Sequence, residues 1–316
     1  MTTSLTVRNP QQIKPSNINS MLDQFAASLD LKVRSQELAA TTALGYVRGA
    51  RRFVEWSTVN RKGAGLSDTI REWKADMIDG GYAAGSICAW LAGVRALFAW
   101  ATETGITPYN PASAIRGASR KGTNKRHAKE SLTDNESRRL LALPDTSTIQ
   151  GKRDAAIISI MLHTACRTVE LHRANIEDIK TRGGRLVIFV QGKGYHVKDD
   201  FLLIGNAENA LQDWLAVRDP KATALFHSLS NRSHSGRLSL PSFRALVMDY
   251  MRLAGVQGNK TTHSLRHTAI TKAVSSGLPL QKISKDLARH SNIDTTLIYY
   301  HDLDRFADPV EDHISY

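Results

Sequence analysis

Apolar residues recur at helical spacing through most of the first 105 positions. Side chains three and four residues apart mark one face of a helix in four successive segments, centred on residues 21–29, 46–56, 70–77 and 87–101. Ser67, a residue type that caps helices, precedes the third segment, and the fourth stops before Gly105. Because no strand pattern separates them, the helices predict an all-α domain over residues 16–112, after a polar leader at 1–15.

The pattern changes where this domain ends. Pro108 and Pro111 disfavour helix, and a run of basic residues follows among small and polar ones: Arg116, Arg120, Lys121, Lys125, Arg126 and Lys129. We place the domain boundary here and assign residues 113–129 to a basic linker. Such a run is typical of a solvated linker, but between two positive domains it is also suited to lie against a phosphate backbone.

Residues 130–300 predict a second domain, in which helices are combined with a small sheet. Thr133 and Glu136 have the spacing of a capping box. Two runs rich in β-formers, 185–191 and 196–204, flank Gly192-Lys193-Gly194, which is typical of a β-hairpin with a lysine at its turn. Helical patterns cover 152–166, a segment from 168, 209–217, 242–254, 264–276 and 280–287. The fold class is therefore mainly α, with an all-α first domain and a mixed α+β second domain that contains a small antiparallel sheet.

Positive charge is spread over both domains. The 316 residues have a net charge of +12, to which residues 1–126 contribute +8, residues 127–300 contribute +8 and residues 301–316 contribute −4. This distribution favours a polyanion held between two domains over a single basic tail. The phosphate backbone of a nucleic acid is such a polyanion. Its contacts should include the linker arginines and lysines, together with Arg48, Arg51, Arg52 and Arg95 of the first domain.

Several other classes of protein are disfavoured. The first twenty residues lack the pattern of a secretory signal, and the longest apolar run, 155–162, is far short of the roughly 20 residues that span a bilayer. We therefore expect a cytoplasmic protein with no membrane partner. Cys88 and Cys166 are far apart and are expected to be reduced and buried. A Gly-rich phosphate loop and a carboxylate cluster are both missing from the sequence, so we expect no cofactor and no metal.

Two basic residues are candidates for phosphate chemistry. Arg167 follows the apolar run 155–162, and a guanidinium at the end of a buried helix needs a carboxylate or a ligand anion as partner. Glu170 could be that carboxylate, which would make the pair purely structural. Lys193 would by default be an exposed turn residue. Against DNA it could instead donate a proton, because lysine, unlike arginine, can lose one.

A histidine and an arginine open a later helix. His263 and Arg266 are three residues apart, so they share a face near free backbone N–H groups, which suits a phosphate. His263 and His267 are four apart and would also suit a metal ion. The metal interpretation is disfavoured because no third ligand lies at a recognisable spacing.

The last candidate segment carries a histidine and two tyrosines. His290 ends one helix, and Asp294 or Thr295 can cap a short helix that carries Tyr299 and Tyr300. Adjacent tyrosines on a helix are about 100° apart, so only one can face a given site.

In chain order, these residues are Arg167, Lys193, His263, Arg266, His290 and Tyr299, and the series resembles the tyrosine recombinase (phage integrase) family. The resemblance covers about residues 17–300. The family's Thr-Gly-x-Arg-x-x-Glu-Leu stretch is matched by 164–171, its His-x-Leu-Arg-His stretch by 263–267, and its late His-to-Tyr stretch by 288–299. The nine-residue step from His290 selects Tyr299 over Tyr300. In two departures from the family pattern, Ala165-Cys166 replaces the glycine approach to the first arginine, and Arg289 replaces the glycine before His290.

The resemblance implies a simple, Xer-like site-specific recombinase that needs neither ATP nor metal. The first domain would be a core-binding domain and the second a catalytic domain. Arg167 and Arg266 would bind the scissile phosphate, with His263 and His290 adding hydrogen bonds. Tyr299 would form a 3′-phosphotyrosyl link, and Lys193 would protonate the departing 5′-oxygen. Glu170 and His267 would support this set.

The resemblance also implies a homo-oligomer, with a dimer on each DNA site and a tetramer in the synapse. The acidic segment 301–316 would dock on a neighbouring protomer, a plain solvated tail being the alternative. Accessory DNA-binding proteins could take part.

Two other functions stay open. One is a type IB-like topoisomerase, and the other is a catalytically inactive architectural DNA-binding protein of the same fold. The role could be mobile-element integration or excision, or resolution of dimers or cointegrates. The two departures from the family pattern favour a mobile element.

Overall fold

The computed structural model describes residues 15–60, 65–119, 130–191, 198–230 and 236–301. The chain divides into two units, Met1–Thr123 and Asn124–Tyr316, and the division falls within the predicted linker 113–129. Several predicted features lie outside the described residues. These are the leader up to residue 14, Lys193, the basic residues Arg120, Lys121, Lys125 and Arg126, and the acidic segment from residue 302.

Four helices form the described part of the first unit, as the apolar periodicity predicts. They are α1 (Pro15–Arg34), α2 (Ala40–Asn60), α3 (Leu66–Asp79) and α4 (Ala84–Glu103). Their apolar faces share one core, in which Phe25, Phe53, Trp73, Leu91 and Leu97 are buried. The predicted cap of α3 is wrong: Gly65 holds the cap position, and Ser67 lies within the first turn. The Ser67 hydroxyl instead donates to the carbonyl of Pro111 (3.0 Å), which ties α3 to the segment after α4.

Helices α2 and α4 approach each other at two glycines. A Cβ on Gly49 would lie 2.5 Å from the carbonyl oxygen of Trp90, and a Cβ on Gly93 would lie 2.5 Å from that of Tyr46. No side chain fits at either point, so this backbone contact fixes the crossing of the two helices.

Helix α4 is long and apolar enough to cross a membrane by length and composition alone. Its apolar residues Ile87, Leu91, Val94 and Leu97 are nevertheless buried in the core of the first unit. A helix whose apolar face lies in the core of a folded unit passes the same test.

The start of the predicted linker packs on the first unit. Ala112 and Ile115 are buried in its core, and Gly117 lies against the thiol of Cys88, where a Cβ would come within 2.6 Å of Sγ. Arg95 donates a hydrogen bond to the carbonyl of Ile115. The first unit therefore extends past residue 112, the end that the sequence predicted for it.

In its described residues, the second unit combines helices with one small sheet. Its elements are α5 (Asp134–Ala142), α6 (Ile149–Thr164), α7 (Thr168–Arg173), a 3-10 turn (Ile176–Asp178), β1 (Ile179–Arg182), β2 (Arg185–Gln191), β3 (Lys198–Leu202), α8 (Asn206–Leu215), α9 (Leu240–Leu253), α10 (Thr262–Ser275), α11 (Leu280–Lys282), a π-helical turn (Ile283–Ala288) and α12 (Asp294–His301). The sheet is antiparallel in the order β1-β2-β3. In its register, Ile188 of β2 lies opposite Ile179 of β1 and Phe201 of β3.

The predicted hairpin is present as β2 and β3, but β1 was missed. Its sequence, Ile-Lys-Thr-Arg, has one apolar residue, and the other three are exposed. A short edge strand with one partly buried side chain gives no alternating pattern to detect. It forms because its backbone pairs with the buried strand β2.

Helix α6 is the centre of this unit. Ile157, Ile158, Ile160 and Met161 are fully buried, so the helix is enclosed on all sides and ends among the residues of the candidate site. The predicted capping box of α5 is confirmed. The Glu136 amide donates to the Thr133 hydroxyl (3.2 Å), and the Thr133 amide donates to the Glu136 carboxylate (2.8 Å).

Glu136 also connects α5 to the loop that precedes α10. Its carboxylate accepts from Lys260 Nζ (2.8 Å) and from the amide of Gln257 (3.1 Å). Burial raises the pKa of this carboxyl, but the hydrogen bonds from Lys260, Thr133 and Gln257 outweigh it and hold the pKa at about 2. The ionised form of Glu136 therefore fixes the approach to α10.

Candidate active site

Helix α10 carries three of the predicted site residues, His263, Arg266 and His267. Arg266 is only 2% exposed. Its guanidinium donates to the carbonyl of Ala165, just after α6, and to the carbonyl of Ala288, at the end of the π-helical turn. One arginine thus joins three elements of the second unit. His263 lies in the first turn of α10 and is exposed.

The two segments that Arg266 joins both turn through a left-handed residue. Ala165 has φ of 51° and Arg289 has φ of 49°. Glycine adopts this conformation without steric penalty, whereas a residue with a Cβ is strained there. The family that the sequence resembles has glycine at both positions. Ala165 and Arg289 therefore replace glycine but keep the backbone conformation that glycine favours.

Arg167 caps α7 and is paired with Glu170. The Arg167 amide donates to one carboxylate oxygen (2.8 Å), and Nη1 of its guanidinium donates to the other (2.7 Å). The Glu170 side chain is 2% exposed, whereas that of Arg167 is 34% exposed. The expected ion pair is therefore present, and the guanidinium still reaches solvent, where it can meet an anion.

Arg289 places a third guanidinium in the same cluster. Its Nη2 lies 3.2 Å from the second carboxylate oxygen of Glu170, and its side chain is 7% exposed. The guanidinium carbon lies 4.8 Å from the ring centroid of Phe201 on β3. Burial raises the pKa of Glu170, but the Arg167 amide and the Arg289 and Arg167 guanidiniums lower it below its usual range. Burial, with Arg167 and Arg289 nearby, lowers the pKa of Arg266 to about 10.

Tyr299 of α12 lies beside two histidines. Its ring centroid is 4.6 Å from that of His267 and 6.3 Å from that of His290. The phenol is 1% exposed and packs with Ala269, Ile270 and other apolar residues of the second unit. Tyr299 therefore lies next to two histidines of the candidate site. The side chain of Tyr300 lies outside the described residues.

Sequence reasoning missed the residue that orients His290. Nδ1 of His290 lies 2.9 Å from the hydroxyl of Thr296, a fully buried residue of α12. The only signal was the Thr295-Thr296 pair within the motif that ends at Tyr299. Beside His290 lies a cleft of about 440 Å³, whose lining includes Asp199, Gln281, Ser284, Lys285, Arg289 and His290.

The structure thus brings together most of the predicted site. Arg167, Glu170, Arg266, His267, His290 and Tyr299 converge at the ends of α6, α10 and the π-helical turn. Lys193 is outside the described residues, so its predicted role is untested by the geometry. Among the residues described, no group of three or more His, Cys, Asp or Glu side chains could hold a metal ion.

The thiol of Cys166, one residue before Arg167, is fully buried. Burial raises its pKa to about 11, so it stays protonated. Cys88 is also a free cysteine but is only half-buried.

The predicted DNA contacts in the first unit differ in their surroundings. Arg48, Arg51 and Arg116 are exposed. Arg52 lies 4.2 Å above the Trp90 ring and donates to the Tyr82 hydroxyl (2.9 Å). Arg95 is half-buried and holds the segment after α4, so it has a structural role whether or not it also touches DNA.

Comparison with known proteins gives a consistent result. The model of the phage integrase family matches residues 130–305. The tyrosine recombinase XerC of Corynebacterium glutamicum is 29% identical over 294 residues, which are 91% of this chain and 89% of that protein.

Two solved structures share the fold. XerH site-specific recombinase bound to a palindromic difH substrate has a TM-score of 0.69 at 17% identity, over 96% of this chain and 90% of that one. A lambda integrase dimer bound to a COC′ core site has a TM-score of 0.63 at 18% identity, over 88% and 96%.

Proposed function

Because the chain belongs to the phage integrase family, we propose that it is a Xer-like site-specific recombinase that cuts and rejoins double-stranded DNA through Tyr299. The observation that carries this proposal is the convergence of Tyr299, two histidines and the Arg167 and Arg266 guanidiniums at one place in the second unit. The match to XerC over nine-tenths of the chain supports the Xer-like assignment.

The guanidiniums stabilise the negative charge of the phosphate. In the transition state, negative charge gathers on the non-bridging oxygens, and fixed cations stabilise it. Arg167 presents the solvent-exposed part of its guanidinium to the phosphate. Arg266 contributes a buried charge that is held in place by two carbonyls. His263, on the exposed first turn of α10, adds a hydrogen bond to the same oxygens.

The covalent step exchanges one phosphodiester for another. The Tyr299 oxygen bonds to phosphorus while the bond from phosphorus to the 5′-oxygen breaks. An ordinary phenol has a pKa near 10, so its proton must pass to a neighbouring base, and the histidines beside Tyr299 are suited to accept it. Lys193 protonates the departing 5′-oxygen. A 5′-hydroxyl from the other DNA then attacks the 3′-phosphotyrosyl link and releases Tyr299, so neither ATP nor a metal ion is needed.

DNA binding involves both units of each protomer. The DNA backbone is contacted by arginines of the first unit and by the linker, and each unit is positive enough to contribute. These residues are Arg48, Arg51, Arg52, Arg95, Arg116 and the basic residues 120–126.

A dimer on each site is supported by the dimeric form of the lambda integrase neighbour. Exchange of four strands requires a tetramer, to which the acidic segment from residue 301 adds contacts between protomers. The protein acts in the cytoplasm, on a mobile element or in resolution of joined replicons.

Capture of the covalent adduct tests this function. Sheared, nicked DNA from the genome that encodes the chain is incubated with the wild type, with Tyr299→Phe and with the matched control Tyr300→Phe. Where a nick lies close to the cleaved bond, the short fragment that carries the free 5′-hydroxyl dissociates. Rejoining is then prevented, and the covalent adduct accumulates. We expect detergent-resistant adducts at a defined sequence with the wild type and Tyr300→Phe, and none with Tyr299→Phe.

Other outcomes separate the alternatives. An adduct that persists in Tyr299→Phe would contradict the nucleophile, and no adduct with any form would favour the architectural DNA-binding protein. A plasmid with two copies of the recovered site then distinguishes the enzymes: exchanged segments indicate a recombinase, and relaxation without exchange indicates a topoisomerase.

A further inference from the structure

Arg289 is held in surroundings that disfavour an arginine. Its backbone is left-handed, with φ of 49°, and its side chain is only 7% exposed. Within the part of the chain that the structure describes, its Nη1 is buried and has no hydrogen-bond partner. Two further guanidiniums, those of Arg167 and Arg266, belong to the same cluster. Strain, a buried cation and an unpaired donor each lower stability, and such features concentrate where function requires them.

The partner of Arg289 shows what the extra charge changes. Glu170 accepts the Arg167 amide, Nη1 of Arg167 and Nη2 of Arg289. One carboxylate neutralises one guanidinium. With glycine at position 289, Glu170 would cancel the charge of Arg167, whereas with Arg289 present the three residues keep a net charge of +1.

The location of Arg289 fits an electrostatic role at the phosphate. It directly precedes His290 and lines the cleft beside that histidine. The Phe201 ring on β3 supports its guanidinium, which limits its motion. Nη1 is shielded from solvent, so the side chain acts through its neighbours and not as a direct ligand of an incoming phosphate.

We propose that Arg289 is a positioning residue that acts through Glu170. Its Nη2 binds the carboxylate oxygen other than the one that accepts from Nη1 of Arg167, and it takes up part of the carboxylate charge. Arg167 thereby keeps both its orientation and a net positive field at the scissile phosphate. This inference rests on the proposed function, because it assigns Arg289 a part in the same cleavage reaction.

Single-turnover cleavage by the full chain tests the proposal. The substrate is the duplex recovered from the covalent adducts, made once with the ordinary scissile phosphodiester and once with a methylphosphonate there, which removes the negative charge of one oxygen. The variants are Arg289→Gly, Arg289→Lys and Arg252→Gln. Arg252 is an exposed residue of α9, so its substitution controls for the loss of one positive charge.

On the ordinary substrate, we expect Arg289→Gly to cleave about tenfold more slowly at saturating protein, less than the 10²-fold or greater loss that follows removal of a direct donor. The apparent affinity for DNA should not change. Arg289→Lys should restore most of the rate, and Arg252→Gln should match the wild type. On the methylphosphonate, Arg289→Gly and the wild type should cleave equally, because the charge that the guanidinium field stabilises is gone.

Equal rates on the ordinary substrate, or the same tenfold loss on both substrates, would overturn the proposal. Should Arg289→Gly fail to fold, as judged by circular dichroism, Arg289→Lys carries the test, with a smaller loss on the phosphodiester and none on the methylphosphonate. Failure of the proposed function looks different, because the wild type itself would then form no adduct through Tyr299.

Discussion

The carboxylate of Glu170 lies between two arginines, with Arg167 Nη1 at 2.7 Å from one oxygen and Arg289 Nη2 at 3.2 Å from the other. Glu170 is 2% exposed, so this contact is shielded from water. The fold at the candidate site therefore depends on one ionised carboxylate.

Removing the charge of Glu170 should destabilise the protein. Glu170→Gln leaves two guanidiniums without their counterion, and breaking a buried pair in this way typically lowers the free energy of unfolding by about 3–5 kcal/mol. Urea titration followed by circular dichroism measures the loss. Glu177→Gln, at an exposed position in the 3-10 turn, should stay within about 0.5 kcal/mol of the wild type. Equal stability of the two variants would show that the buried pair contributes little.

Acid should unfold the second unit partly through Glu136. Its pKa is about 2 in the folded chain, against an ordinary value of 4.5. Because the folded pKa is lowered, this group contributes stability that is fully present above pH 4.5 and is lost as the pH falls toward 2. The free energy of unfolding between pH 5 and 2.5 should therefore fall less steeply in Glu136→Gln than in the wild type. Parallel curves would contradict the assignment.

The crossing of α2 and α4 should not tolerate a methyl group. At Gly93 an added Cβ would meet the Tyr46 carbonyl at 2.5 Å, so Gly93→Ala should lower the free energy of unfolding by about 1–3 kcal/mol through overpacking. Gly45→Ala, on the same pair of helices, adds a Cβ with nothing within 4 Å and should instead stabilise α2 by about 0.5–1 kcal/mol. Thermal unfolding of the two variants tests the contrast.

Substituting an exposed arginine of the first unit should weaken DNA binding, whereas substituting the half-buried Arg95 should mainly lower stability. Arg51→Gln removes an exposed cation, so DNA binding should weaken and its logarithmic salt dependence should become shallower by about 0.9 for each phosphate that the variant no longer neutralises. Arg95→Gln removes a hydrogen bond to Ile115 and should mainly lower stability. Fluorescence anisotropy at several salt concentrations, together with unfolding curves, distinguishes them. A salt slope unchanged in Arg51→Gln would remove that residue from the DNA-contacting set.

Much of the fold could be predicted from sequence periodicity, because α1 to α4 and most later helices bury one apolar face each. Strand β1 could not be predicted, since only one of its side chains is partly buried and the strand is defined by its pairing with β2. The Ser67 cap was wrong because local propensity for a cap carries no information about the distant carbonyl of Pro111. The candidate site residues were predicted from motif spacing. The contact of Arg289 with the Arg167–Glu170 pair was not predicted. It depends on the left-handed turn at Arg289, which brings this residue to Glu170, 119 positions earlier in the chain.

The identity of the residue bound to DNA tests the central claim most directly. The wild-type adduct is digested with nuclease and protease, and the modified peptide is fragmented in a mass spectrometer so that cleavage between residues 299 and 300 assigns the attached nucleotide. We expect a nucleotide joined to Tyr299 through its 3′-phosphate and an unmodified Tyr300. Attachment to Tyr300 or to any other side chain would contradict the assignment of Tyr299 as the nucleophile.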